Sequence, residues 1–322
     1  MKVLTNISSY RMEEDWFKSS EEARQFLKNT GLDGFEVIFF GVELPQIVKK
    51  EQIFGIHLMY WPTWIDFWRG NEENLLAQFT TWDNVEAYYG GLNRQVLIDH
   101  YKKEFKRAKA LSAHYMVFHV SHVGMNEIFN FEHIHEDKEV LQATAELINE
   151  VFKGEDTSVA LLFENLWWPG LNFKNPELAL WFLDQIEYSN KGFVLDVGHL
   201  MVTNPKLQTH EEACSYMLNQ ISYPNDLISH IRAIHLNCSL TGDYISKNHS
   251  SAHLEMIQAQ DMSTKYDLAR THISQIDLHL PFQSPCIKSF IEKISPDYLV
   301  YEFLADTMTE AEVLIKLQSQ YL

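Results

Sequence analysis

Gly192–Leu200 reads GFVLDVGHL, a short apolar run of strand-forming residues that closes on a carboxylate, Asp196, and an imidazole, His199. Charged groups are rarely buried unless they are paired or bound to metal, so a strand that ends this way requires a partner. The pattern recurs. Apolar, β-branched or aromatic runs fall at Val3–Ile7, Gly34–Phe40, Phe54–Tyr60, Tyr115–His122, Val159–Leu166, Gly192–Leu200, Ile231–Cys238 and Tyr298–Leu304. Amphipathic stretches lie between them, at Ser20–Thr30, Arg94–Ser112, Glu136–Lys153, Pro176–Tyr188, Glu211–Ile221 and Pro285–Ile294. Such alternation predicts parallel βα units. Eight of them with few Gly/Pro-rich linkers predict an α/β fold, a closed (β/α)8 TIM barrel spanning residues 1–322, over an open doubly wound sheet. Asn175-Pro176-Glu177 reads as an N-cap, a first-turn proline and an early acid.

Composition narrows the function classes. Of 322 residues 46% are apolar and 13% aromatic, which is globular. The net charge of −18 argues against a protein that grips nucleic acid by its phosphates. Cys214, Cys238 and Cys286 are few, odd in number and without CxxC spacing, which argues against a disulfide framework or a thiolate zinc site. The N-terminal stretch turns acidic early, unlike a signal peptide, and no run has the length of a membrane span. The expectation is a soluble protein of a reducing compartment, the cytoplasm, acting on a small molecule or a peptide, with no membrane partner. The oligomeric state is not legible.

Two connections are long. Residues 61–91 follow the third strand and contain Trp61, Trp64, Phe67, Trp68, Trp82, Tyr88 and Tyr89; residues 239–284 follow the seventh and are polar. Long loops are functional or disordered, and loops after barrel strands lie at the catalytic face. The first either roofs a pocket or packs its aromatics onto outer helices. The second reads as a mobile surface excursion except at Asp277 and His279.

The chemistry sits at the strand ends. His57 lies in FGIHLMY, His119 in MVFHVSH, Glu164 in ALLFENL, Asp196 and His199 in FVLDVGHL, His235 in RAIHLNCS, Asp277 and His279 in IDLHLPF, and Glu302 in LVYEFL. A lone strand-end histidine is more often a packed one than a ligand, and a lone acid is more often salt-bridged. Six successive strands that each place such a group near the carboxyl end are another matter, because a parallel barrel gathers those ends at one rim. Nitrogen and oxygen ligands without thiolates suit divalent zinc, manganese or iron. Carboxylates interleaved with imidazoles can bridge neighbouring cations and offset their repulsion. His114 and His230 precede their strands and belong to the opposite face. His122 either supports His119 or packs.

These motifs resemble the xylose-isomerase-like TIM-barrel superfamily, which includes sugar isomerases, epimerases and the endonuclease IV branch. Glu164, Asp196, His235 and Glu302 match the epimerase metal ligands in order, and His199 matches the adjacent substrate-contacting histidine. His57, His119, Asp277 and His279 match the extra ligands that make the endonuclease IV site trinuclear. A third branch, multinuclear non-haem iron enzymes that modify peptide cysteines, is similar at Glu164-Asn165, Leu195-Asp196-Val197 and Asp277-Leu278-His279-Leu280-Pro281. The resemblance implies one to three ions per chain. It implies isomerase or epimerase chemistry on a sugar-like substrate first, with Glu164, Glu302 and His199 catalytic, and a multinuclear hydrolase or iron oxidase as the alternative. Asp277 and His279 can share an ion only if their segment bends out of strand geometry; Pro281 ends any ladder there, and Leu278 and Leu280 are free to pack on the barrel wall.

Overall fold

The computed structural model describes residues 1–9, 16–39, 47–223 and 226–322. Eight parallel strands close into a barrel in sequence order: β1 (Lys2–Ser8), β2 (Gly34–Ile38), β3 (Ile53–His57), β4 (Tyr115–His119), β5 (Ala160–Glu164), β6 (Lys191–Asp196), β7 (Ile231–Leu236) and β8 (Tyr298–Tyr301). This is the expected (β/α)8 architecture. Phe40, which ends the second predicted strand, lies outside the described residues.

The strands are shorter than the apolar runs, and they stop where the polar chemistry begins. β3 ends on His57, β4 on His119, β5 on Glu164 and β6 on Asp196, while Glu302 directly follows β8. Val197–Leu200 reads as strand but is helix: Asp196 caps Val197–Val202, its side chain accepting the His199 N–H at 2.6 Å. A carboxylate at that position satisfies a free helical donor, and this outweighs the apolar character of the run.

Side chains alternate across a strand, and the inward face stacks two kinds of layer. Leu4, Tyr115, Val117, Ala160, Leu162, Val194, Ala233 and Val300 fill the barrel as an apolar plug. Two residues further along β4 to β8, the same face carries His119, Glu164, Asp196, His235 and Glu302. Outward-facing residues such as Phe35, Phe163 and Phe193 pack with Phe26, Phe105 and Phe182 from the surrounding helices.

The expected helices form at Ser20–Thr30, Gln95–Leu111, Asp137–Val151, Pro176–Gln185, His210–Ile221 and Cys286–Ile294. Asn175 caps its helix, accepting from the Leu178 N–H at 3.1 Å with Pro176 in the first turn.

Both long connections are helical rather than irregular. The first holds Ile65–Arg69, Glu72–Phe79 and Trp82–Tyr89; the second holds Gly242–Ile245, Ser250–Gln258 and Met262–Ile276. Asn71, Thr81 and Asp261 supply N-caps that the aromatic and polar content obscured. The aromatics pack chiefly on one another, Phe67 on Tyr89 at 3.8 Å, and on the second excursion, Tyr88 on Tyr266 at 5.6 Å. The second excursion is therefore a packed helical insertion, not a loose surface loop. It joins Met125, Phe129, Trp167 and Trp168 in a separate apolar cluster through Met256, Ala269 and Ile276.

The cysteines also depart from expectation. Cys214 and Cys286 form a disulfide between helices His210–Ile221 and Cys286–Ile294, with Cα atoms 6.3 Å apart, and Cys238 is buried and free. The sequence spacing held no sign of it, because the long insertion after β7 separates the two helices, which follow neighbouring strands. Among the described residues no helix is long and apolar enough to cross a membrane.

Candidate metal centre

Register places the polar groups side by side: His119 pairs with Glu164 across β4 and β5, and Asp196 with His235 across β6 and β7. Glu164 sits at the middle. Its Oε2 lies 3.1 Å from His57 Nε2, 3.2 Å from His119 Nε2 and 3.3 Å from His235 Nδ1. Glu302 Oε2 approaches the same His235 Nδ1 at 3.2 Å. At the rim, Asp277 Oδ2 lies 2.7 Å from His279 Nε2 and 3.2 Å from His199 Nε2.

The imidazoles are aimed, not merely crowded. His57 donates from Nδ1 to the Leu58 carbonyl at 3.2 Å, His199 to the Asn165 carbonyl at 2.8 Å and His279 to the Glu302 carbonyl at 2.8 Å. In each case the other nitrogen faces a carboxylate, and a cation between the two would take its lone pair, as metal-binding histidines are held. The acids are braced as well. Asn237 donates to Asp196 Oδ2 at 2.8 Å, Asn165 pairs with the Asp196 backbone, and Ser239 donates to Asp277 Oδ1 at 3.1 Å.

The segment carrying Asp277 and His279 does leave strand geometry. His279 has φ 49°, in the left-handed region, and Leu280 forms an antiparallel bridge to Cys238. That bend turns both side chains inward. Leu280 itself is 48% exposed, so it does not pack on the barrel wall as expected.

Electrostatics show a site short of positive charge. Burial pushes the Asp196 carboxyl up to about 8, and the neighbouring carboxylates of Glu302, Glu164 and Asp277 add to that despite His199. Glu164 is also buried, yet the His119 and His235 imidazoles hold it well below the usual carboxylate range. Burial opposes the charged form of His279, but Asp277 beside it raises it to about 10.

A divalent ion fits the residues present. Glu164 Oε1, His119 Nδ1, His235 Nδ1 and Glu302 Oε2 are buried without hydrogen-bond partners, and such atoms are costly to leave unmatched. At the barrel mouth, ligand atoms come within 4.8 Å of one another in four groups: His57, His119 and Glu164; Glu164, Asp196, His235 and Glu302; His199, Asp277 and His279; and Glu36, His57 and His235. All nine residues singled out in the sequence converge here.

Glu36 was missed. It is fully buried at 3.1 Å from His235 Nε2, and the only sequence signal was an acid inside the apolar run GFEVI of β2. His122, by contrast, does not support His119; its Nδ1 accepts the N–H groups of Trp64 and Ile65 at 3.1 and 3.3 Å, tying down the start of a helix. Asp66, His122 and His135 also come together. Because His122 Nδ1 is already an acceptor, its Nε2 carries the proton, which makes that trio a poor metal tripod. Aromatic rings wall the main site, Tyr60 at 4.8 Å from His119 and Trp167 at 5.2 Å from His199.

The sequence signature of the xylose isomerase-like TIM barrels matches residues 88–290. The chain belongs to that family. No curated protein matches it by sequence. Among solved structures this xylose isomerase-like barrel is similar to the IolI protein with a bound zinc atom, at 14% identity and TM-score 0.52, covering 100% of this chain and 96% of that one. It is similar to endonuclease IV from Thermus thermophilus, at 14% identity and TM-score 0.50, covering 100% and 98%. It is also similar to D-psicose 3-epimerase with D-tagatose from Clostridium cellulolyticum, at 12% identity and TM-score 0.50, covering 100% and 99%. Likeness at this level speaks to the fold of the xylose isomerase-like barrels, whose members do different chemistry on one scaffold.

Proposed function

We propose that the protein is a metal-dependent enzyme whose barrel mouth holds two or three divalent cations and hydrolyses a phosphate ester of a small molecule. One observation carries the reading: five buried carboxylates, Glu36, Glu164, Asp196, Asp277 and Glu302, lie in one connected network with five histidines. A single dication neutralises two negative charges, and neutral ligating imidazoles add none. Two or three ions come far closer to balance. Bound cations would supply Lewis acidity and charge for an in-line displacement at phosphorus.

The chain's own residues do the rest. Glu164 and Asp277, each facing two or more imidazoles, hold adjacent ligand groups at fixed spacing. His199, locked by Asn165, and Glu302, just past β8, would contact substrate and take or give a proton. Tyr60, Trp167 and Trp168 exclude bulk water. The acidic surface favours a small substrate over DNA, although a neighbour in fold is an endonuclease.

A second reading has its own support: Glu164, Asp196, His235 and Glu302 form a complete four-ligand group without the others. With one ion there, Glu164 and Glu302 would flank a sugar-like substrate as proton-transfer groups for isomerisation or epimerisation, with zinc, manganese or iron as the ion. Elemental analysis of protein loaded separately with each metal separates the two. Two or three ions per chain, with turnover of small phosphate esters, is the expected result. One ion per chain, with ketose epimerisation and no ester hydrolysis, overturns the multinuclear reading in favour of the second.

A further inference from the structure

Four of the five clustered histidines have their outer nitrogen engaged, and three of those use a backbone carbonyl. His235 is the exception. It lies deepest, on β7 against Glu164 and Glu302, and its Nε2 hydrogen-bonds Glu36 Oε2 at 3.3 Å, with Glu36 Oε1 3.1 Å away. We propose that Glu36 is a positioning residue for the metal centre: it takes the Nε2 proton of His235 as a hydrogen bond and so fixes Nδ1 as the nitrogen offered to a cation between Glu164 and Glu302. This rests on the metal-centre reading above and adds a residue to it.

Glu36 is itself held by a built arrangement. Tyr115 on β4 donates its hydroxyl to Glu36 Oε2 at 2.7 Å. The Tyr115 ring reaches across the barrel only because Gly55 on β3 has no side chain; a Cβ there would collide with the ring and hydroxyl. Tyr298 packs on the other side of the ring at 4.5 Å. A buried carboxylate in the middle of an apolar strand is costly, and this one is oriented by a second buried side chain toward a single imidazole nitrogen.

Glu36 is not itself placed as a ligand. The one other histidine that comes near it, His57, could join Glu36 and His235 around an ion, but its Nε2 already faces Glu164 Oε2 at 3.1 Å, which assigns it to the Glu164 group. A carboxylate behind a ligating imidazole both selects its tautomer and raises its basicity, and losing such a partner weakens metal binding about 10- to 100-fold.

The test is Zn²⁺ affinity of the full chain, measured by competition with a chromophoric chelator, alongside ion count at saturation and the melting temperature of the metal-free protein. E36L is expected to weaken binding about 10- to 100-fold with the same ion count. E36Q keeps an acceptor for the Nε2 proton and should recover most of that loss, and Y115F should fall between. Three results overturn the inference: unchanged affinity in E36L while H235A loses an ion; one ion fewer in E36L, which would make Glu36 a ligand; or variants that lower only the metal-free melting temperature. Should E36L fail to fold, unchanged affinity in both E36Q and Y115F overturns it equally. Unchanged ion count and affinity in H235A would instead overturn the metal-centre reading itself.

Discussion

One oxygen of Asp277 faces two imidazoles, His279 at 2.7 Å and His199 at 3.2 Å. Truncation at Asp277 therefore removes the element that joins them. Asp277→Ala is expected to lower the saturating ion count by one, while Asp196→Ala should empty the deeper group that Glu164 organises. Elemental analysis of both variants checks this, and identical stoichiometry in wild type and Asp277→Ala would exclude the rim group from the cluster.

Gly198 is held to glycine by the Asn237 amide, which a Cβ at Gly198 would strike. Asn237 is also what orients Asp196. Gly198→Ala should destabilise the protein by about 1–3 kcal/mol, the usual cost of overpacking, and should weaken metal binding as well. Denaturant titration in the presence and absence of metal separates the two effects. A variant as stable as wild type would mean that the Asn237 side chain moves aside.

The barrel was legible because strand runs and amphipathic stretches alternate with little punctuation. Most of the nine candidate residues were legible because they break apolar runs at their carboxyl ends; Asp277 and His279, which follow a helix, were legible through the family resemblance. Glu36 was not, since a single acid within GFEVI looks like any half-buried strand residue until β2 is seen to face His235. The strand readings ran long at Val197–Leu200 because apolarity does not distinguish a strand from a helix capped by Asp196. The insertion helices were hidden by their aromatic and polar composition, and the Cys214–Cys286 pair by a sequence separation of 72.

That disulfide closes a long loop, so the chain-entropy argument gives it about 4 kcal/mol of stabilisation. Cys214→Ser should lose an amount of that order, and reductant should bring wild type down to the same level while leaving the variant unaffected. A variant insensitive to the change would show that packing alone holds the two helices.

His135 lies between Asp66 and Glu139, at 3.7 and 3.0 Å, and the Asp66 contact first among these raises its pKa from 6.5 to about 9. A folded-state pKa above the unfolded one means stability that is fully present below pH 6.5 and lost as pH rises through about 9. The melting-temperature gap between wild type and His135→Gln should accordingly shrink across that window. A gap that stays constant with pH would assign His135 a purely steric role.

With a net charge of −18, the protein should bind duplex DNA weakly and without a steep dependence on salt. Tight, salt-sensitive binding in a filter or anisotropy assay would redirect the hydrolase reading toward nucleic acid.

Asp277 is the residue at which the insertion helix Met262–Ile276 ends, and His279 follows it by one peptide unit past Leu278. On the metal-centre reading, the seating of that helix and the completion of the rim ligand group are coupled. Fraying at the helix end loosens the segment that carries both, and any ion that binds them would tighten the insertion by mass action. If the rim group holds an ion, amide exchange along 262–276 would gauge its occupancy, and ion concentration would set how often that helix end opens.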